Sequence, residues 1–530
     1  MWIKSVRIMN FKAIEDRRIT FEKDMTVMIG ANGTGKTTVL HAIRAFFLKD
    51  VSQYDFNSPE KPIHIEIVFC DDESDDNTRT LSRIFTKTDG PKPISQLMEN
   101  DKKLPAKFDL DSELKIKPIM INAMSDPSSE LTDKKNTTLN DVVEFIRDTG
   151  SASGARLKLM QRIERHQKKL QIMNKKALDK TVDAANMRIG RISDDTHVSI
   201  QQQDHDSFDY KADVTITERG HETPVGDAGH GSQKLVLFSL IDAHAKSMEN
   251  KSSGGSKKPA YSYILMFDEP DVYQSPSRSR SFYNSLHELS KNKRQQVICV
   301  THSERFISMK DVYGIRLFRR DKHGKSQPVI SHVDRAYINS QFRTPKEAKK
   351  TLAVLNVLRD YRFGLFSDLV VLVEGDGDRV LLETISELKN KKSFEAQGIQ
   401  IVVCGGKRNI PFALKLYEKL DVPVYVIWEE DSCLSQQQAK VDNDRLNKEI
   451  HDRLGISGDD LSYKDGSVVS DKYACFENRV EDVMYTKGTS VKNDVYLAIK
   501  FIEENYNKDN MSAFRDIVDR IVAYYSRINP

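Results

Sequence analysis

The residues Gly30-Ala31-Asn32-Gly33-Thr34-Gly35-Lys36-Thr37 spell G-x-x-x-x-G-K-T, between an apolar strand-like run, Met25 to Ile29, and a stretch, Thr38 to Phe47, with apolar residues at helical spacing. That spacing implies a phosphate cradle at a helix N-terminus, where glycines let backbone N–H groups turn toward the anion. Lys36 can reach β and γ oxygens, and the Thr37 hydroxyl can hold Mg²⁺. Gly30, Asn32, Gly33, Gly35, Lys36, Thr37 and Thr38 are the candidate nucleotide-binding residues.

A second group of residues complements the loop. Ile264-Leu265-Met266-Phe267 reads as a buried strand ending in Asp268-Glu269-Pro270, which places Asp268 to meet Mg²⁺ and Glu269 to polarise an attacking water. Val297-Ile298-Cys299-Val300 leads to Thr301-His302-Ser303, so an imidazole stands at the C-terminal edge of the next strand. Gly229-His230-Gly231-Ser232-Gln233 precedes an apolar helical stretch and reads as an anion-binding helix start.

Further along, Leu369 to Val373 delivers Glu374 and, at the start of a helix, Asp378. Ile401 to Val403 leads into Cys404-Gly405-Gly406-Lys407, and Val424 to Trp428 ends in Glu429-Glu430-Asp431. Three strands ending in polar groups at one sheet edge form a ligand site in α/β proteins. Hard carboxylate oxygens suit Mg²⁺ or Mn²⁺, and two such ions can serve phosphodiester cleavage.

The elements that must position these groups fit a chain of several domains, because 530 residues exceed one core. The opening reads as strands, Ile3 to Ile8, Asn10 to Ile14 and Arg18 to Phe21, with another at Ile63 to Phe69. Leu157, Met160, Ile163, Leu170 and Met173 fall at helical spacing in a proline-free stretch, which predicts a helical insertion able to make a dimer contact. Residues 250–259 read as a flexible loop. The 81 basic and 78 acidic residues give a net charge of only +3, so any nucleic-acid surface must be a local patch. Five scattered cysteines suggest neither disulfides nor a zinc site. The alternating N-terminus lacks a signal-peptide core and no apolar run spans a bilayer, so a cytoplasmic chain without a membrane partner is expected.

The order phosphate loop, insertion, signature, acidic strand and histidine resembles the ATP-binding-cassette ATPases of the structural-maintenance and recombination type. The second centre resembles the Toprim domain, and the two together resemble the OLD (overcoming lysogenization defect) family of ATP-dependent nucleases, which includes the Gabija nuclease and retron-associated effectors. The resemblance implies an α/β fold: an ABC-type ATPase head split by a helical insertion, then a Rossmann-like Toprim domain. The expected boundaries are 1–135, 136–195 for the insertion, 196–345 for the second ATPase lobe and 346–530 for Toprim and C-terminal helices.

It further implies that ATP and Mg²⁺ bind at Lys36, Thr37 and Asp268, with Glu269 as base and His302 as γ-phosphate sensor. Gly229, Gly231, Ser232 and Gln233 would complete a second copy's site, making the chain a homodimer or higher oligomer. Gln53 is a candidate for a metal-contacting glutamine. Glu374, Asp378, Glu429, Asp431 and Glu481 are the implied Toprim acids, using Mg²⁺ or Mn²⁺, with Glu477 as the alternative to Glu481 and Lys492 on the scissile phosphate. The family's D-x-D reads Glu429-Glu430-Asp431 here, so the first acid is longer by one methylene. DNA is the implied substrate, with RNA open, in bacterial anti-phage defence, where an accessory protein or retron nucleic acid is a further partner. Two other classes fit part of the pattern: a repair or chromosome-organising ATPase, and an ATP-driven sensor or scaffold with a degenerate Toprim fold.

Overall fold

The computed structural model describes residues 1–71, 77–90, 92–105, 108, 110–121, 179–191, 196–203, 211–218, 220–229, 231–233, 235–236, 239–240, 243, 262–272, 274–292, 294–320, 327–434, 436–457, 461–484 and 495–529. They fall into two compact units, Met1–Met28 with Gly35–Phe306, and Ile29–Thr34 with Ile307–Pro530.

In the first unit, strands β1 (Trp2–Phe11), β2 (Ile14–Thr20), β4 (Ile63–Cys70), β5 (Thr78–Thr86), β6 (Ile94–Glu99) and β7 (Lys102–Lys103) form an antiparallel sheet in the order β2-β1-β4-β5-β6-β7. Alternating burial along β4 fits a sheet with one face on a core. The run Asn10 to Ile14, expected to be a strand of its own, instead holds the end of β1 (Asn10, Phe11), the turn at Lys12 and Ala13, and the first residue of β2. Asn10 and Lys12 take φ of 58° and 50°, left-handed values that end the extended chain.

Strands β3 (Met25–Gly30), β13 (Gln295–Val300), β12 (Ser262–Asp268) and β8 (Ile116–Ile121) lie side by side and parallel. β3 and β13 are buried at every position, as parallel strands covered on both faces require. The helix Lys36–Leu48 starts directly after the loop, buries Val39, Leu40, Ile43 and Phe46, and ends where Lys49, at φ 60°, donates its N–H to Ala45 O. A third sheet joins β9 (Thr196–Gln203), β10 (Lys211–Glu218) and β11 (His221–Pro224). Most of the expected insertion, including its apolar spacing residues, lies outside the described residues; 179–189 are helical.

In the second unit, β16 (Leu369–Val373) pairs in parallel with β17 (Ile399–Val403) and β18 (Val424–Glu429). β18 pairs with β20 (Tyr473–Phe476), and β19 (Ser467–Val469) is antiparallel at the edge. Leu369, Val371 and Val373 share a core with Leu381 and Ile385 of the helix Asp376–Asn390 and with Phe514, Ile517, Val518 and Ile521 of the helix Ser512–Ile528. The expected 345/346 boundary falls inside a continuous element. Thr344 caps the helix Pro345–Val357, and Asn356 of that helix accepts hydrogen bonds from Ser308 Oγ and Met309 N, both at 3.1 Å.

Candidate functional sites

In the first unit the parallel order brings the strand ends together beside the helix Lys36–Leu48. Thr37 Oγ1 donates to Asp268 Oδ1 at 3.0 Å, which joins the loop hydroxyl to the acid at the end of β12. Glu269 follows with φ 47°, uncommon for a residue with a side chain, and its N–H donates to Val300 O at 2.8 Å. His302 Nε2 stands 3.5 Å from Glu269 Oε1. Burial holds the Lys36 ammonium down to about 8 against the pull of Glu269 and Asp268. His302 is also held below its ordinary value, first by burial and then by Lys36. Thr301 Oγ1 donates to Asp271 Oδ1 at 2.7 Å and so fixes the turn after Glu269.

The loop residues before Gly35 count with the second unit. Gly30, at φ +134°, has no room for a side chain, since a Cβ there would lie 1.9 Å from Phe318 O. Thr34 Oγ1 donates to Ala31 O at 2.8 Å and Arg320 Nη2 to Asn32 O at 3.3 Å, while Gly33, at φ +75°, is open. Thr38 sits half-buried in the first turn of the helix.

The signature residues are partly turned inward. Gln233 donates to Gly226 O and Ala228 O, Ser232 Oγ bonds to Glu218, and both are buried, whereas Gly229 is exposed and Gly231 half-buried. His230 lies outside the described residues. Gln53 spends its amide N–H groups on Thr88 O and Gly90 O at 2.9 and 2.7 Å.

In the second unit four parallel strands end at one edge. Glu374 follows β16, the Gly405-Gly406-Lys407 turn follows β17, Glu429 closes β18, and Glu477 follows β20. Gly405 and Gly406, at φ +71° and +107°, make the turn, whose Gly406 N–H donates to Glu374 O at 2.9 Å. Each acid gives one oxygen to the scaffold. Glu374 Oε1 accepts from Glu429 N at 3.0 Å, Asp378 Oδ2 from Gly375 N at 3.0 Å, and Glu429 Oε1 from Val480 N at 2.8 Å.

Burial and mutual repulsion raise all three carboxyls. Glu374 lies above the usual range, Asp378 at about 6 with Glu429 and Glu481 contributing, and Glu429 at about 7 with Glu374, Glu481 and Asp431 contributing. Glu481 therefore shares the cluster; Glu477 N–H instead donates to Gly466 O at 2.9 Å. Among the described residues no three acids close into a ready cage. The fit to divalent ions rests on the donor set: hard oxygens, each with a second oxygen, and an excess of negative charge. Lys492 lies outside the described residues.

A polar stripe that sequence reasoning passed over grips the Glu429-Glu430-Asp431 turn. Asn443, Asn447 and His451, successive turns of the helix Gln437–Leu454, all face it. Asn443 and Asn447 donate to Glu430 O at 2.7 and 2.9 Å, and His451 Nε2 lies 2.8 Å from Glu430 Oε1, which also accepts from Trp428 Nε1 at 2.7 Å. Glu430 is thus an anchor engaged by Trp428 and His451. Lys407, 7% exposed, bonds Asn443 Oδ1 at 2.6 Å and Asp431 Oδ2 at 3.2 Å, beside a left-handed Asp431 at φ 53°. The legible signal was two asparagines at apolar-period positions of a helix.

Comparison with known proteins finds two domain types in the chain. The family model described as "AAA ATPase domain" matches residues 1–145 and 112–307, more than half of the chain. The chain belongs to the AAA ATPase domain family. Past this ATPase region, the model described as "Overcoming lysogenization defect protein-like, TOPRIM domain" matches residues 365–431. The chain is 24% identical over 474 residues to the OLD nuclease of Thermus scotoductus (strain ATCC 700910 / SA-01), covering 81% of this chain and 82% of that protein.

Solved structures similar to it include an SmcHead bound to the C-winged helix domain of ScpA (15% identity, 63% of this chain and 98% of that one, TM-score 0.45). Another is an Smc head domain with an extended coiled coil bound to the C-terminal domain of ScpA, from Pyrococcus furiosus (14%, 67% and 99%, TM-score 0.45). By the two family models, the enzyme joins an AAA ATPase domain to a Toprim domain. No helix among the described residues is long and apolar enough to cross a membrane.

Proposed function

We propose that the chain is an ATP-regulated, divalent-metal-dependent DNA endonuclease that acts in anti-phage defence. The observation that carries the reading is the cluster of Glu374, Asp378, Glu429 and Asp431 at parallel strand ends, with three carboxyls raised by burial and mutual repulsion. Such a cluster is stabilised by cations. Mg²⁺ or Mn²⁺ held there would stabilise the attacking and leaving oxygens of a phosphodiester. The chain's own part is to hold the acids in register, through the Glu429 and Val480 amides and the grip of Asn443 and Asn447 on the turn. Similarity to the OLD nuclease supports the reading.

At the ATPase centre, Lys36 would neutralise β and γ oxygens, and Thr37 and Asp268, already joined at 3.0 Å, would hold Mg²⁺. Glu269 would take the proton of the attacking water, and His302, 3.5 Å away, would sense the γ-phosphate. Gly229 and Gly231, the more exposed part of the signature, would face a second copy.

Incubation of the purified chain with plasmid DNA, and in parallel RNA, with Mg²⁺ or Mn²⁺ and with or without ATP tests this. Cleavage should occur in wild type and vanish in Glu374→Ala while ATP binding survives; undiminished cleavage in that variant refutes the site. Failure of wild type to cut any nucleic acid would favour the second reading, a nucleotide sensor or scaffold, which draws on the lack of a ready three-acid cage among the described residues.

A further inference from the structure

The segment leading into the Toprim sheet carries cations that no acid of the described chain neutralises. The helix Pro345–Val357 buries Ala348, Leu352 and Leu355, an inward stripe at helical spacing. Its opposite stripe holds Lys346, Lys349 and Lys350 at one end and Val354 and Val357, 48% and 77% exposed, at the other. Arg343 before the helix and Arg359 after it are exposed as well. Among the described residues none of these five cations has an ion-pair partner.

The helix's one acid is consumed by its own N-terminus: Glu347 Oε2 accepts from Arg343 N, and Glu347 N donates to Thr344 Oγ1, both at 3.2 Å. Lys346 and Lys350 repel each other one turn apart, and Lys346 stands at the positive end of the helix dipole. Helix stability alone disfavours this arrangement.

The stripe also ends beside the Gly405-Gly406 turn, whose Gly406 N–H donates to Glu374 O at 2.9 Å. Leu358 lies so close to the Gly405 turn that a Cβ on Gly405 would be 3.3 Å from Leu358 Cδ1. Asp360 accepts the Val403 N–H at 3.3 Å and pairs with Arg379, the neighbour of Asp378, at 3.1 Å. Arg359 sits in sequence between these two anchors. From there the helix runs back for about 20 Å, the length of roughly six base pairs of duplex. An acid cluster repels a polyanion, and a net charge of +3 over 530 residues cannot overcome that repulsion in bulk. A local track of unpaired cations can.

We propose that Lys346, Lys349, Lys350 and Arg359, extended by Arg343, bind the phosphate backbone of a nucleic acid and lead it to the Glu374 cluster. This rests on the nuclease reading for its purpose, but the test does not need cleavage. Full-length wild type and Lys346→Ala/Lys349→Ala/Lys350→Ala/Arg359→Ala are titrated with fluorescein-labelled duplex and single-stranded DNA in EDTA over a range of salt. Alanine preserves helix propensity, and unchanged ATP turnover checks the fold.

For duplex, the slope of log affinity against log salt should fall in magnitude by about 3 to 4, near 0.9 per lost phosphate contact, and affinity should weaken by roughly 10- to 100-fold. Lys102→Ala/Lys103→Ala, on exposed β7, should bind as wild type does. An unchanged slope and affinity in the fourfold variant overturns the track, and Glu374-dependent cleavage then still upholds the nuclease reading. Wild type binding neither nucleic acid, or binding an acidic polypeptide through these residues instead, also overturns it. Binding that depends on the four cations without cleavage under any metal supports the track and removes the nuclease reading.

Discussion

Replacing Asp378 with asparagine should stabilise the metal-free protein while abolishing its metal response. The Asp378 carboxyl is raised from an ordinary 3.8 to about 6, chiefly by burial, with Glu429 and Glu481 adding repulsion. At about 1.4 kcal/mol per unit, the ionised side chain costs at most about 3 kcal/mol above pH 7. Its side chain is only half-buried, so solvent screening reduces this to about 1–2 kcal/mol. Against that stands the favourable charge in the first turn of the helix Asp376–Asn390, about 0.3–1 kcal/mol. Asparagine retains an acceptor for the Gly375 N–H, so the 3.0 Å cap need not be lost.

The net expectation is a gain of about 1 kcal/mol for Asp378→Asn at pH 8. Because the folded pKa lies above the unfolded one, the folded state binds the extra proton between the two values. Wild-type stability therefore falls as pH rises from about 4 to 6, and the variant's advantage disappears near pH 4. Urea unfolding in EDTA reads this through the buried Trp428 on β18 in a Trp2→Phe background. Mn²⁺ should raise the wild-type midpoint and leave Asp378→Asn almost unmoved. A variant less stable than wild type at pH 8 in EDTA would refute the charge-crowding argument.

Lys36→Ala should abolish tight ATP binding, measured by calorimetry, while Glu269→Gln should bind ATP and fail to turn it over; equal turnover in Glu269→Gln and wild type would sink that assignment. Glu429→Asp should retain or raise cleavage, and Mn²⁺ should support the wild type at least as well as Mg²⁺, because its oxygen shell tolerates the longer arm of Glu429; a plasmid assay with both metals checks this. Asn443→Ala should raise the Mn²⁺ concentration for half-saturation about tenfold, read by the loss of the free Mn²⁺ paramagnetic signal, and His451→Gln should bind nearer to wild type than His451→Ala does. Gly30→Ala should lower the thermal midpoint, since both its φ and the 1.9 Å approach to Phe318 O forbid a Cβ; an unchanged midpoint contradicts the backbone geometry.

Most of the two centres was legible because their residues are local in sequence. The phosphate loop, Asp268-Glu269 and the strand ends at Glu374 and Glu429 each sit where an apolar run stops, and a run of buried residues marks a parallel strand without its partners. What stayed hidden depends on pairing at a distance. Nothing beside Glu430 shows that its carboxylate meets His451, and Lys407 acquires its role only when Asn443 is brought to it across 36 residues. Ser232 and Gln233, which the family resemblance directs toward a second copy's site, also bond within the chain, to Glu218 and the 226–228 turn, partners far enough away that no local pattern marks them.

The pairing of β3 with β13 has a consequence for synthesis. Gln296 on β13 holds the N-terminal strand through a hydrogen bond of 2.9 Å to Ile3 N, 293 residues away, and Val297 to Val300 register with Met25 to Met28. At translation rates of about 5–20 residues per second, β3 leaves the ribosome roughly 15–60 seconds before its neighbour exists. The β1-β2-β4-β5 hairpins can close locally in that interval, but the phosphate-loop strand, apolar on both faces, cannot. A chain broken off ahead of Gln295 carries that strand with no β13 beside it, so interrupted translation yields fragments that depend on chaperones or aggregate, and the nucleotide site forms only after more than half of the chain has been made.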